Sequence, residues 1–163
     1  MKYVIASSAE RTLNPWMQGL QDLPNLEFRV GHVPPAAEGC DAEIVSFTFA
    51  HDRYGGSPQI GKAQALVNHL QDGSPRTILA TPPLPLKDLR PDENTAELND
   101  KVIEEHVFRT IRLCTEEAEW LNREGSMEPI RCILLHLVGL GFDRFKIEPA
   151  LKGFRRAVLA ESV

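Results

Sequence analysis

The feature that most constrains the fold is an almost uninterrupted apolar run from Arg131 to Val138. It is far shorter than the roughly 20 residues of a membrane-spanning helix, and its composition is typical of a strand. A strand that is apolar at consecutive positions is covered on both faces, which requires helices above and below the sheet. The run therefore predicts a central strand of an α/β protein.

Four further β-rich segments alternate with segments that have a helical period. The predicted strands are Lys2–Ala6, Leu26–Val30, Glu43–Phe49, Arg76–Thr81 and Arg131–Val138. The predicted helices cover residues 14–23, 57–70, 103–121 and 147–158. We expect the first two to start at Asn14-Pro15 and Ser57-Pro58, where a capping side chain precedes a proline. The alternation predicts one domain over residues 1–163, a three-layer α/β/α sandwich with a mixed, mostly parallel sheet.

Composition excludes several classes of function. The chain has 163 residues and a formal net charge of −5, which argues against nucleic acid as a partner held by bulk charge. No apolar run suits a membrane span, and the N-terminus lacks the layout of a signal peptide. Cys40, Cys114 and Cys132 are odd in number and widely spaced, which favours reduced thiols in the cytoplasm. Nothing indicates a metal or a cofactor, and self-association as a homo-oligomer stays open.

Two glycine-bearing turns follow predicted strands, at places where α/β proteins bind ligands. In the first turn, the glycines allow close approach of an anion, while serine caps the next helix and tyrosine offers stacking. Its candidate ligand-binding residues are Tyr54, Gly55, Gly56 and Ser57. His51 and Asp52 precede it and are the candidate catalytic residues, because both can titrate or bond to sugar hydroxyls. A plain turn and helix start is the alternative interpretation.

The second turn follows the most buried predicted strand. Two glycines separated by one residue can present consecutive N–H groups as a concave site for an anion. Its candidate ligand-binding residues are Gly139, Leu140, Gly141 and Phe142. The segment from Arg144 to Arg156 adds five basic residues against one acid, which favours a small phosphorylated ligand. The G-x-G pattern does not extend to a G-x-G-x-x-G fingerprint, which argues against a dinucleotide-binding Rossmann domain.

Three segments in this order resemble the macro domain, the ADP-ribose-binding α/β/α module, and especially its divergent bacterial and phage-type members. Asp41-Ala-Glu-Ile-Val-Ser46 with Gly55-Gly56 resembles a family strand and the Gly-Gly loop after it. Ile78-Leu-Ala-Thr-Pro-Pro-Leu-Pro85 is similar to the central strand of those members. Leu137-Val-Gly-Leu-Gly-Phe142 is similar to the family's diphosphate-gripping loop.

The resemblance implies a macro-domain fold and a small nucleotide ligand, ADP-ribose or a related nucleotide diphosphate, held by the two turns. His32, a further candidate ligand-binding residue, stands where the family usually has an acidic residue for the adenine amino group, so that contact is lost or altered here. The family's ribose-contacting asparagine has no counterpart in Phe47-Thr-Phe-Ala-His51. Two alternatives therefore stay open. One is a macro-like fold that has lost nucleotide binding and serves as an interaction or structural protein; the other is an ADP-ribosyl or phosphoribosyl hydrolase.

Overall fold

The computed structural model describes residues 1–57, 59–83, 99–125 and 128–160. The strands in these ranges are β1 (Lys2–Ser7), β2 (Leu26–Val30), β3 (Ala42–Val45), β4 (Gln64–Val67), β5 (Thr77–Ala80) and β6 (Cys132–His136). The α-helices in these ranges are α1 (Glu10–Leu20), α2 (Phe47–Tyr54), α3 (Asp100–Glu124) and α4 (Ile147–Leu159). Two short 3-10 turns, Pro35–Ala37 and Phe142–Arg144, complete the regular structure there.

The strands form one sheet in the order β2-β1-β6-β3-β5-β4. All neighbouring pairs are parallel except β4 and β5, which are antiparallel. The predicted α/β fold with a mixed, mostly parallel sheet is confirmed. The apolar run supplies β6, whose residues from Cys132 to Leu135 are buried between β1 and β3.

One face of the sheet carries a thick helical layer made of α1, α3 and α4. Each helix contributes an apolar stripe to the main core, and examples are Trp16, Ile111 and Phe154. Helices α3 and α4 approach so closely that a Cβ added at Gly153 would lie 2.4 Å from the carbonyl oxygen of Glu104. This layer buries the same side of the strands that carries Ile5, Ile44 and Ile133.

Among the described residues, the cover of the opposite face is much thinner and consists of two separate pieces. Ala36 and Ala37 of the first 3-10 turn pack on Val4, Ala6 and Leu134. Helix α2 packs through Ala50 on Val45, Ile78 and Ala80. The sheet thus has helical cover on both faces, and the thin side leaves a gap between the two pieces.

The prediction of a helix over residues 57–70 is wrong for the residues described there. Pro58 lies outside the described residues, and Gln64–Val67 forms β4, whose Val67 pairs with Thr77 of β5. The expected apolar helix face is instead solvent-accessible, since Ile60 is 81% exposed and Leu70 is 44% exposed. Pairing with β5 gives Gln64–Val67 hydrogen-bond partners along one edge, and an isolated helix there would bury little.

Two other predicted elements have different boundaries in the structure. The strand expected over Glu43–Phe49 ends at Val45, and α2 follows at once, because the Ser46 side chain accepts a hydrogen bond from the Phe49 N–H. Helix α1 begins at Glu10 instead of Asn14, so that Pro15 lies inside it. Buried Leu13 extends the apolar stripe of α1 upstream of the proline, which accounts for the earlier start.

Candidate ligand-binding cleft

A cleft of about 410 Å³ occupies the gap on the thinly covered face. One end of it lies at the carboxyl ends of three parallel strands, where it is lined by His32 after β2, Ser46 after β3 and Gly139 after β6. From there it continues over β3 towards the turn that joins β4 to β5, where Asp72 and Ser74 line it. Ligands of α/β proteins bind at such strand ends, and the volume is within the usual range for a small-molecule site.

Helix α2 forms one wall of the cleft and supplies its aromatic groups. Phe49 is 48% exposed and makes an edge-on contact with Tyr54, with ring centroids 6.1 Å apart. The N-cap residue Ser46 also lines the cleft, so the amino end of α2 opens into it. The first N–H groups of a helix have no acceptor within the helix and carry partial positive charge. This wall therefore combines a stacking surface with an end that favours an anion.

His136 joins the carboxyl ends of β2 and β6 at the floor of the cleft. Its Nε2 lies 3.4 Å from the carbonyl oxygen of Gly31, and the Gly139 N–H donates to its Nδ1 at 3.4 Å. The ring therefore carries its proton on Nε2, because Nδ1 is an acceptor. Burial lowers the pKa of His136, so the imidazole is neutral at physiological pH.

Asp72 is the best-satisfied charged group of the cleft. It accepts hydrogen bonds from Arg53 at 2.8 Å, Tyr54 Oη at 3.2 Å, Asn68 at 3.0 Å and the Ser74 N–H at 3.0 Å. Burial opposes its ionisation, but these donors together hold the pKa of Asp72 well below its usual range. Asp72 is consequently an anion that fixes the wall of α2 against the turn between β4 and β5.

Glu43 has the opposite character. It lies on β3 in the floor of the cleft and is only 5% exposed, and its Oε1 has no hydrogen-bond partner among the described residues. Burial, and secondarily the negative charge of Asp72, raises the pKa of Glu43 from its ordinary 4.5 to about 7. The cleft thus holds one carboxylate that stays ionised and one carboxyl group that is neutral in mildly acidic solution.

Three of the residues predicted from the sequence line the cleft: His32, Tyr54 and Gly139. His51 and Asp52 are exposed residues of α2 outside this lining, and His51 Nδ1 lies 2.8 Å from the carbonyl oxygen of Gly56. The structure thus places the two candidate catalytic residues away from the cleft.

The glycines of the first turn connect α2 to β4. Gly55 has a φ of 81° and ends α2, as a glycine in the left-handed region commonly does. Gly56 is buried, and a Cβ there would lie 3.0 Å from side-chain atoms of Gln64 and Leu66. The Ser57 N–H donates to Gln64 Oε1 at 2.9 Å, and no helix begins at this serine. The helix start that faces the cleft is therefore at Ser46, eleven residues earlier in the chain.

The second turn does not form the expected concave anion site, because its own carbonyl groups accept its N–H groups. The N–H groups of Leu140, Gly141 and Phe142 donate to His136, Val138 and Leu137 respectively. The Phe142 side chain is 1% exposed and stacks on Trp16 in the main core, with centroids 6.0 Å apart.

Two of the basic residues of α4 are engaged elsewhere. Arg155 pairs with Asp22, and Arg156 pairs with Glu104 and Glu105, on the face with the thick helical layer. These arginines therefore contribute little to the charge of the cleft.

The chain matches no protein-family model and no curated protein. Its site is thus defined by its own geometry. The groups that sequence reasoning missed are Ser46, Phe49, Asp72 and Glu43. An acidic residue between apolar ones in Ala42-Glu43-Ile44 was the available signal for Glu43.

Two further observations concern the described ranges. Within residues 1–57, 59–83, 99–125 and 128–160, no three His, Cys, Asp or Glu side chains come together as a metal ion requires. In those same ranges, no helix combines the length and the apolar character needed to cross a membrane.

Proposed function

We propose that the chain is a macro-domain-like module that binds ADP-ribose or a related nucleotide diphosphate in the cleft. The observation that carries the proposal is the amino end of α2 at Ser46, which opens into a nucleotide-sized cleft beside the exposed ring of Phe49. A phosphate group suits the helix end, and a base suits the aromatic wall. The sequence motifs that resemble the macro domain support the same ligand class.

The structure gives the hydrolase alternative no support from His51 and Asp52, since neither lines the cleft. The second candidate is a macro-like protein that has lost nucleotide binding and serves interaction partners. Its supporting observation is that the N–H groups of Leu140, Gly141 and Phe142 in the second glycine turn donate to nearby backbone carbonyl groups. The free cysteines Cys40, Cys114 and Cys132 favour a reducing compartment, so the proposal locates the protein in the cytoplasm.

Binding of ADP-ribose, ADP and AMP, measured by calorimetry and by the rise in melting temperature, tests the proposal. A ligand at about 100 times its Kd stabilises the native state by about 2.7 kcal/mol, which is a clear thermal shift. Absence of a shift with all three at millimolar concentration would exclude nucleotide binding and favour the second candidate.

A matched pair of variants tests the place of the phosphate. Ser46→Asp and Ser46→Asn both preserve a capping side chain, but only the aspartate adds a negative charge at the helix end. We expect Ser46→Asp to weaken ADP-ribose binding at least tenfold more than Ser46→Asn, with the difference shrinking in high salt. Equal affinities of the two variants would place the phosphate elsewhere.

A further inference from the structure

Glu43 lies in a strip of the sheet that offers its carboxyl group no partner. Its register neighbours are Leu134 on β6 and Ile78 on β5, both fully buried apolar residues. Leu134 belongs to the patch under the 3-10 turn, and Ile78 belongs to the patch under α2. The carboxyl group therefore lies between two apolar patches and against the cleft.

The ionisable groups that face Glu43 across the cleft come from every element around it. They are His32 after β2, His136 on β6, Arg53 and Tyr54 on α2, and Asp72 in the turn between β4 and β5. Arg53 and Tyr54 both donate to Asp72, and His136 bonds to backbone atoms of Gly31 and Gly139. Among the described residues, no side chain forms an ion pair or a hydrogen bond with Glu43. Unpaired polar groups are costly to bury, and those that persist in native structures call for an explanation.

We propose that Glu43 is a recognition group that binds ligand as the neutral acid, pairing with an amide or amidine edge. A carboxylic acid offers one O–H donor beside one carbonyl acceptor, so its complement is a group with an acceptor next to a donor. Adenine has this arrangement, with an amino donor beside a ring-nitrogen acceptor, and a carboxamide has it too. This assignment rests on the proposed function, in which a phosphate group of the ligand lies at the amino end of α2. It adds the chemical class of the group at the other end of the ligand, beside Glu43.

The ionised form of Glu43 prefers a different ligand. A carboxylate is an acceptor at both oxygens, so it suits a group with two adjacent donors, such as guanine N1–H and its amino group. A phosphate in the same cleft also disfavours a second anion, which adds to the preference for the neutral acid.

The proposal predicts proton-linked binding. With a pKa of about 7, Glu43 is about nine-tenths protonated at pH 6 and about one-tenth protonated at pH 8. We expect the affinity for ADP-ribose to fall about tenfold between these two pH values. Calorimetry in two buffers of different ionisation enthalpy should record proton uptake on binding at pH 8, and GDP should show no such loss of affinity.

Variants of Glu43 distinguish the effect of its protonation on binding from the effect of its packing. Glu43→Gln keeps a donor beside an acceptor without titrating, so it should bind ADP-ribose at both pH values with the affinity that the unmodified chain has at pH 6. Glu43→Leu should bind ADP-ribose at least tenfold more weakly than Glu43→Gln at both pH values. His32→Gln is the control for a second ionisable group that lines the cleft. This variant should keep the tenfold pH effect on affinity. A pH effect that survives in Glu43→Gln, or that disappears in His32→Gln, would overturn the assignment.

Adenine and benzamide test the Glu43 end without a phosphate. If they shift the melting temperature at pH 6 in the unmodified chain and in Glu43→Gln, while ADP-ribose gives no shift, the phosphate proposal fails and the assignment of Glu43 stands. If ADP-ribose binds equally well at both pH values and neither small probe shifts the melting temperature, the nucleotide proposal stands and the role of Glu43 is refuted. If none of the three ligands shifts it at pH 6, both fail.

Discussion

Replacing Glu43 by glutamine should change how the stability of this protein depends on pH. The rise of the Glu43 pKa from 4.5 to about 7 means that the folded chain binds this proton more tightly than the unfolded chain. Stability from this group is therefore full below pH 4.5 and is lost as the pH rises to about 7. At about 1.4 kcal/mol per pKa unit, the loss is roughly 3 kcal/mol. Glutamine has no such loss, so the variant should gain on the unmodified chain as the pH rises.

The measurement is urea unfolding of both chains at intervals from pH 4 to pH 8, with the free energy of unfolding extrapolated to water. The difference between the two chains is the informative quantity, because His106 acts in the opposite direction. Burial, and secondarily the charge of Arg109, lowers the pKa of His106 to about 4, so its contribution to stability is lost as the pH falls from 6.5. This histidine is common to both chains and cancels in the difference. A difference that stays constant from pH 4 to pH 8 would refute the reasoning on Glu43.

Three further experiments test the packing and burial of particular residues. Phe142→Ala should lower the free energy of unfolding by about 3 to 5 kcal/mol, because the ring is fully buried against Trp16. Urea unfolding measures this change, and a loss below about 1 kcal/mol would contradict a core role. Gly153→Ala should destabilise by about 1 to 3 kcal/mol through the contact of α4 with α3. Gly31→Ala should change stability little in the same assay, because the added Cβ would lie 3.8 Å from the Cβ of Ala36, an ordinary van der Waals contact. Cys40 should react slowly with iodoacetamide at pH 8, because burial, followed by the neighbouring Cys132 thiol, raises its pKa to about 12; labelling as fast in the native chain as in urea would be the contrary result.

The elements that sequence analysis predicted well are those whose signal is local and unambiguous. The stripe of α3, from Ile103 through Val107 to Ile111, fits only a helical period, and α3 is where it was expected. The same holds for α4, and for the apolar run that became β6. In α3 and α4 the pattern extends over several helical turns, so a strand does not satisfy it, and the short apolar run at β6 has the length of a strand.

For the segment 57–70, the local sequence pattern does not determine the structure. Its apolar residues Ile60, Ala63 and Val67 are compatible with a helix, but pairing with β5 decides in favour of β4. That choice depends on partner residues ten to sixteen positions away in sequence, and strand pairing is non-local by nature. The same limitation misplaced the cleft-facing helix start, which was expected at Ser57 and lies at Ser46.

The sequence alone determined that this is an α/β protein, since a short, fully apolar strand needs cover on both faces. It also pointed to three residues that line the cleft: Tyr54 and Gly139 through turns that follow predicted strands, and His32 through the resemblance to the macro domain. Only the tertiary structure decided that the cover is thick on one face and divided on the other. That division leaves Glu43 facing a cleft in which no described residue pairs with its Oε1, and the energy of a buried carboxyl group depends on everything around it.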